Sequence, residues 1–225
     1  MAKQDADRAR AMVRDRIKVV HTALAGCDVL VERELEVLAS RGEVATCSKG
    51  CAHCCRQEIY VTRAEGEAVV EWITKQWQPA QIEALEERLR SWLAWYRTEH
   101  KQLTDGGIDR QVAFYEHGPH CPALEGDACS IYPVRPMTCR THFVSSPPDA
   151  CRQDSDPKFV RDPIATPLIS IPRVTQPESL RIRSLIEQQG ADFLATVHLL
   201  PEWLAHLLRV EQQPWLTAEP LFRRT

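Results

Sequence analysis

Residues 62–103 read TRAEGEAVVEWITKQWQPAQIEALEERLRSWLAWYRTEHKQL, and this stretch decides the fold class. Thr62 with Glu65 three residues on is a capping-box pattern, the signature of a helix start. Val69, Ile73 and Trp77 then recur at four-residue steps and line one face. Pro79 stands where a second helix begins, a position whose missing N–H costs no internal hydrogen bond. Ile82, Leu85, Leu89, Trp92, Leu93 and Tyr96 give that helix a strong stripe to about residue 103. Two helices so closely spaced predict an antiparallel hairpin. A hairpin brings the segment that follows it back toward the segment that precedes it. The tryptophans at 72, 77, 92 and 95 read as core and interhelix packing.

Working outward, residues from about 5 to 40 form one long amphipathic helix. Val13, Ile17, Val20, Leu24, Cys27, Val31, Leu35 and Leu38 fall at three- and four-residue steps. Gly26 predicts a bend in its middle and Gly42 a stop. On the far side of the hairpin, 104–107 is a Thr-Asp-Gly-Gly linker. Residues 112–175 hold most of the chain's 15 prolines, which block long helices and central strands. That stretch is expected to be mostly loop, fixed by something other than regular hydrogen bonding, and metal ligation is the evident candidate. Pro177 is expected to open a helix that Gly190 breaks. Residues 191–210 are expected to form one or two packed helices with Pro201 at the junction. The prediction is a mostly α protein, its helices surrounding an irregular cysteine-rich centre with at most short strands. It is organised as a single domain over 1–225: an N-terminal helix 1–42, a cysteine-cluster core 43–151 that includes the hairpin 62–103, and C-terminal helices 176–210.

Composition narrows the function classes. The 225 residues carry a net charge of -3, without the basic excess of a nucleic-acid binder. No apolar run approaches the roughly 20 residues a membrane helix needs. Residues 1–16 carry charges of both signs and no apolar signal core, so the cytoplasm is the expected compartment. Thiols stay reduced there, and clustered cysteines read as metal ligands or redox groups. No Gly-rich phosphate loop, G-x-S-x-G or H-E-x-x-H stands in the chain.

There are 9 cysteines. Cys47, Cys51, Cys54 and Cys55 form C-x3-C-x2-C-C; Cys121, Cys129 and Cys139 follow the hairpin; Cys151 lies beyond. Thiolate is a soft ligand that suits zinc and iron–sulfur clusters. Short gaps let one loop aim several sulfurs at one point. Neighbouring Cys54 and Cys55 point different ways in most backbone conformations. That implies either two metal centres, or one ligand beside a supporting thiol. C-x3-C-x2-C is also the spacing that holds a [4Fe–4S] cluster in radical S-adenosylmethionine enzymes, but their β/α barrel needs a strand–helix alternation that is missing here. Cys27 continues a helix stripe and reads as a core residue.

Taken together, the blocks resemble the bacterial cysteine-cluster (CxxxCxxCC) family of zinc- or iron-chelating proteins. Cys47-Ser-Lys-Gly-Cys51-Ala-His-Cys54-Cys55-Arg56 is similar to the family's first block. Cys121-Pro-Ala-Leu124, Cys129-Ser-Ile-Tyr132, Arg135-Pro136 and Cys139-Arg140 repeat the order of its second. The resemblance covers about 44–145 and implies that Cys47, Cys51, Cys54, Cys55, Cys121, Cys129 and Cys139 form the metal site. Ala123 departs from it, since the family often has phenylalanine there. A flagellin lysine methylase carries a similar cluster, so some relatives are enzymes.

Arg56, Arg135 and Arg140 lie close to the cysteines in sequence. Their cations would offset the negative charge of several thiolates and lower thiol pKa values; a substrate-anion site is the rival use. His53, His120 and His142 read as neighbours of the site more than as ligands. Tyr132 reads as a partly buried hydrogen-bonding residue. Three functions stay open: a metal-binding protein whose zinc or iron–sulfur centre is structural or serves metal handling or sensing; an iron–sulfur-dependent metalloenzyme acting on a protein or small molecule; and a zinc-stapled interaction scaffold.

Overall fold

A single helix of 38 residues, α1 (Ala2–Ala39), runs down one side of the molecule. Its apolar stripe, from Val13 through Val20, Leu24 and Cys27 to Leu38, is buried. The computed structural model describes residues 2–48, 50–146, 151, 171–212 and 216. The remaining elements are β1 (Tyr60–Thr62), α2 (Arg63–Gln76), α3 (Pro79–Trp95), α4 (Lys101–Asp105) and α5 (Arg110–Val112). Then come β2 (Leu124–Glu125), β3 (Ala128–Cys129), α6 (Met137–Arg140), α7 (Ile171–Gln188), β4 (Val197–Leu199) and α8 (Leu200–Leu207). Two two-stranded antiparallel sheets, β1 with β4 and β2 with β3, are the strand content among the described residues. The fold is mostly α, as the periodicities predict. No helix among the described residues is long and apolar enough to cross a membrane.

The capping box at the start of α2 is present in full. Thr62 Oγ1 accepts the Glu65 N–H at 3.2 Å, and Glu65 Oε2 accepts the Thr62 N–H at 2.9 Å. Pro79 sits in the first turn of α3. A π-helical turn, Tyr96–His100, carries that helix on into α4, so the helical run ends close to where the stripe ends. Trp92 and Trp95 are buried in the core and Trp72 and Trp77 pack against it.

Four expectations need correction. Gly26 does not interrupt the helix, for α1 is continuous through it. It is a close-approach glycine instead: a Cβ there would lie 2.6 Å from Glu178 Oε1 of α7. The arms of the hairpin are not packed mainly on each other. All eight residues of α8 are buried, so that helix needs cover on every side, and it takes it by packing against both α2 and α3. Pro177 does not open α7, which begins at Ile171 and holds the proline in its interior. Val174 and Thr175, upstream of the proline, are buried, and that burial favours the longer helix over the bond the proline cannot donate. Finally, 191–210 is not all helix. Val197–Leu199 is a strand paired to β1, with Thr62 opposite Val197 and the Leu200 N–H bonded to the Ile59 carbonyl at 2.8 Å. The expected loop character of 152–170 lies outside the described residues.

Two buried clusters result. One gathers α2, α3, α8, β1 and β4 with Ala123, Ile131 and Val134. The other gathers α1 and α7 with Ala64, Ala68 and Met137. A buried ion pair fastens the second: Glu67, fully buried on α2, accepts Arg16 of α1 through both oxygens at 2.7 Å each and Arg63 at 2.8 Å. The short chain segments that carry the cysteines are attached to these clusters from outside.

Candidate metal centre

The first cysteine block is an irregular loop between α1 and β1, held at both ends. At its start, the Thr46 N–H donates to the Val144 carbonyl at 3.0 Å, and the Thr46 hydroxyl donates to the Ser146 carbonyl at 2.5 Å. At its end, Cys54 and Cys55 occupy a 3-10 turn, His53–Arg56. The Cys55 carbonyl accepts the Cys121 N–H at 2.7 Å. Hence the hairpin does return the chain, and the two blocks meet.

The second block is built from very short elements. The Cys121 carbonyl accepts the Leu124 N–H at 2.9 Å, and β2 pairs with β3 so that Leu124 faces Cys129. The Ala123 carbonyl takes both the Ser130 N–H (2.8 Å) and its hydroxyl (2.7 Å). Ala123 is fully buried in the core. Cys139 rides on α6, and the other oxygen of the capping residue, Glu65 Oε1, accepts the Met137 N–H at 3.2 Å. The α2 cap and the Cys139 turn are therefore one hydrogen-bonded unit. Arg88 of α3 braces the block from behind, donating to the Pro122 carbonyl at 2.7 Å and to Glu125 at 2.7 Å.

All nine cysteines are free thiols. Apart from Cys27 they are partly buried, and Cys121, Cys129 and Cys139 pack against the core. The seven cysteines nominated from sequence share one neighbourhood in which their charges act on each other. Cys47 feels Cys51 and Cys54; Cys55 feels Cys54, Cys121 and Cys129; Cys139 feels Cys121, Cys54 and Cys129. Cys151 joins them, beside Cys47, Cys51 and Cys54. Cys27 stays apart on α1, near Asp28, Arg140 and Glu178. Among the described residues, no three Cys, His, Asp or Glu side chains already converge as a coordination shell. The thiols are gathered, not closed around a point.

Burial, followed by repulsion from neighbouring thiols, pushes Cys121 up to about 12 and Cys139 well above the ordinary thiol value. Cys54 is the exception. A hydrogen bond from Cys55 lowers it to about 7, against the effect of burial, with help from the Arg135 guanidinium; the same bond raises Cys55. Backbone N–H groups also aim at sulfur: Val144 at Cys47, Ala123 at Cys121 and Ile131 at Cys129. Such donors stabilise thiolate once it forms. The donor set fits a soft cation, since a bound ion removes the repulsion that holds most of these thiols protonated.

The three arginines have separate fates. Arg135 faces the cluster, and its charge favours the thiolates of Cys54, Cys129 and Cys139. Its guanidinium lies 3.8 Å from the centroid of the Tyr132 ring. Tyr132 is 56% exposed, not partly buried as expected, because it covers Arg135 from outside. Arg56 donates to His120 Nε2 at 3.3 Å and to the Tyr115 carbonyl at 3.5 Å. Arg140 is turned toward α1, donating to Asp28 (2.7 and 2.5 Å) and to the carbonyls of Arg135 and Pro133. Burial lowers His120 and His142, with Arg56 and His53 adding to the effect at His120. His142 Nε2 is 3.1 Å from Gln57 Nε2.

Two neighbours of the site were not foreseen. Tyr115, from a π-helical turn Ala113–His117, lies close to Cys54 and Cys151 and bonds to Gln57; burial raises its hydroxyl to about 12. Arg88 acts electrostatically on Cys121. Neither shows in the spacing of the cysteines: Arg88 reaches the site from α3, and Tyr115, six residues before Cys121, is not of a ligand type that spacing would single out.

No curated protein and no solved structure matches the chain. A family model, CxxCxxCC, described as a "putative zinc- or iron-chelating domain", matches residues 46–158, half of the chain, and spans every cysteine gathered in the cluster. The chain belongs to this family of zinc- or iron-chelating domains.

Proposed function

We propose that this is a metal-binding protein that holds zinc or iron with thiolates drawn from both cysteine blocks, the metal fixing the two loops to each other for a structural, metal-handling or sensing role. The carrying observation is the meeting of the blocks: Cys121 N–H bonds to the Cys55 carbonyl, and thiols from both sides act on one another. Seven thiols so placed repel when ionised, and a soft cation converts that repulsion into attraction. Arg135 and the N–H donors to Cys47, Cys121 and Cys129 would offset the residual negative charge of the loaded centre. Nine free thiols suit a reducing compartment such as the cytoplasm.

The test is metal and acid-labile sulfide content, with the visible spectrum, on protein purified without oxygen. Zinc in a colourless sample or iron in a coloured one is the expected result. Cys54→Ser and Cys121→Ser should each strip metal. Wild-type metal content in both variants would remove the composite centre from consideration.

A further inference from the structure

We propose that the cluster holds two metal centres of four thiolates each: Cys47, Cys51, Cys54 and Cys151 in one, and Cys55, Cys121, Cys129 and Cys139 in the other. This rests on the metal-binding reading above and adds to it an eighth ligand, Cys151, and a division of the thiols.

The division follows from how the first loop is anchored. Its leading end, at Thr46, is bonded to the carbonyls of Val144 and Ser146, seven and five residues before Cys151 in the sequence. Its trailing end, at Cys55, is bonded to the Cys121 N–H, which leads toward the β2–β3 hairpin and Cys129. The loop is thus pinned to two different parts of the second segment, with its own cysteines strung between the two pins. The side chains sort in the same way. Cys151 stands by Cys47, Cys51 and Cys54, and Cys55 stands by Cys121 and Cys129. Cys139, on α6, stands by Cys121, Cys54 and Cys129, and Cys54 acts on Cys121 and Cys129 as well, so Cys54 lies within reach of both groups. Cys54 and Cys55 are hydrogen-bonded neighbours in one 3-10 turn and form the seam between the groups. Two adjacent residues seldom serve one tetrahedral ion, whereas each can serve its own.

Ligand arithmetic agrees. Zinc in closed sites takes four ligands, and eight thiols make two such shells with none left over. A single ion would leave four thiols unbound. The cations also fit the division: Arg135 acts on Cys54, Cys129 and Cys139, and Arg88 on Cys121, so positive charge reaches the seam and the second centre.

The experiment uses the full chain, stripped of metal, reduced and kept from oxygen, and titrated with Zn2+ in competition with a chromophoric chelator. A parallel titration with Co2+ reads the thiolate-to-metal absorption. The expected capacity is two ions per chain. Cys151→Ser and Cys47→Ser should each lower it to one, Cys129→Ser should lower it to one, and the Cys151→Ser/Cys129→Ser pair should bind none. Cys151 is partly exposed, so its variant is expected to keep the wild-type far-ultraviolet helical signal. One ion per chain in the wild type, or two in Cys151→Ser, would overturn the division while leaving the metal-binding reading in place. A wild-type chain that binds neither ion would overturn both.

Discussion

Glu65 joins the start of α2 to the start of α6: one carboxylate oxygen accepts the Thr62 N–H at 2.9 Å and the other accepts the Met137 N–H at 3.2 Å. The residue is buried, so each of these bonds stands where water cannot replace it. Glu65→Ala removes the cap and strands the Met137 N–H beside Cys139. It should cost about 2–3 kcal/mol in urea unfolding of the metal-free protein. Glu65→Gln should cost less, since an amide oxygen can still accept one of the bonds. Burial raises the Glu65 carboxyl, outweighing the bonds from Thr62 and Met137. The folded state then holds its proton to higher pH than the unfolded state. The wild type therefore loses stability as pH rises through that window, and the deficit of Glu65→Gln should shrink over the same range. A deficit that grows with pH would contradict the raised carboxyl.

The capping box itself was plain in the chain, because Thr62 and Glu65 are local partners three residues apart. The second use of Glu65 was not, because Met137 is 72 residues away. The same division runs through the molecule. Long helices show their period, and α1, α2 and α3 stand close to where their stripes end. Strands of two or three residues, such as Val197–Leu199, are too short to show alternation and exist only through their partners. At the centre, the cysteines announced themselves by spacing, and their meeting by the hairpin. Arg88 did not, because the packing of α3 brings it to the thiols, and Tyr115 did not, because a tyrosine in a short turn carries no spacing signal.

Arg140 belongs to the structure of the second block more than to its chemistry. Its guanidinium is buried and satisfies Asp28 together with the carbonyls of Pro133 and Arg135, while the Asp28 side chain is 45% exposed. The two ends of this pair should therefore differ in worth. Arg140→Met leaves two carbonyls without donors and should cost roughly 3 kcal/mol. Asp28→Asn keeps an acceptor at a partly solvated site and should cost under about 1 kcal/mol. Chemical denaturation of both variants reads the difference, and equal losses would show that the ion pair, not the carbonyls, is what Arg140 serves.

Cys27 tests whether burial separates a core thiol from the cluster. It is fully buried in the α1 stripe, and burial, then Asp28, raises it to about 11. Cys27→Ala should cost about 1–2 kcal/mol through lost packing and leave metal content unchanged. Iodoacetamide should spare Cys27 in the folded, metal-free chain while labelling Cys54, as read by peptide mass spectrometry. Loss of metal in Cys27→Ala would tie α1 directly to the centre.

In the metal-free protein Cys54 is the thiol set to ionise first. The Cys55 hydrogen bond and the Arg135 charge hold it at about 7, against the 9.0 of an ordinary thiol. Its thiolate is thus present above about pH 7 in the folded chain, and its alkylation rate should climb through that pH and not two units higher. The two causes are unequal, with the Cys55 bond the larger. Cys55→Ala should therefore move the midpoint up further than Arg135→Gln, and both should slow labelling of Cys54 at pH 7. Arg135→Gln should also weaken metal binding without unfolding the chain, because Arg135 is held mainly against the exposed Tyr132 ring. A midpoint unchanged in both variants would mean that the ionisation of Cys54 is governed by neither neighbour.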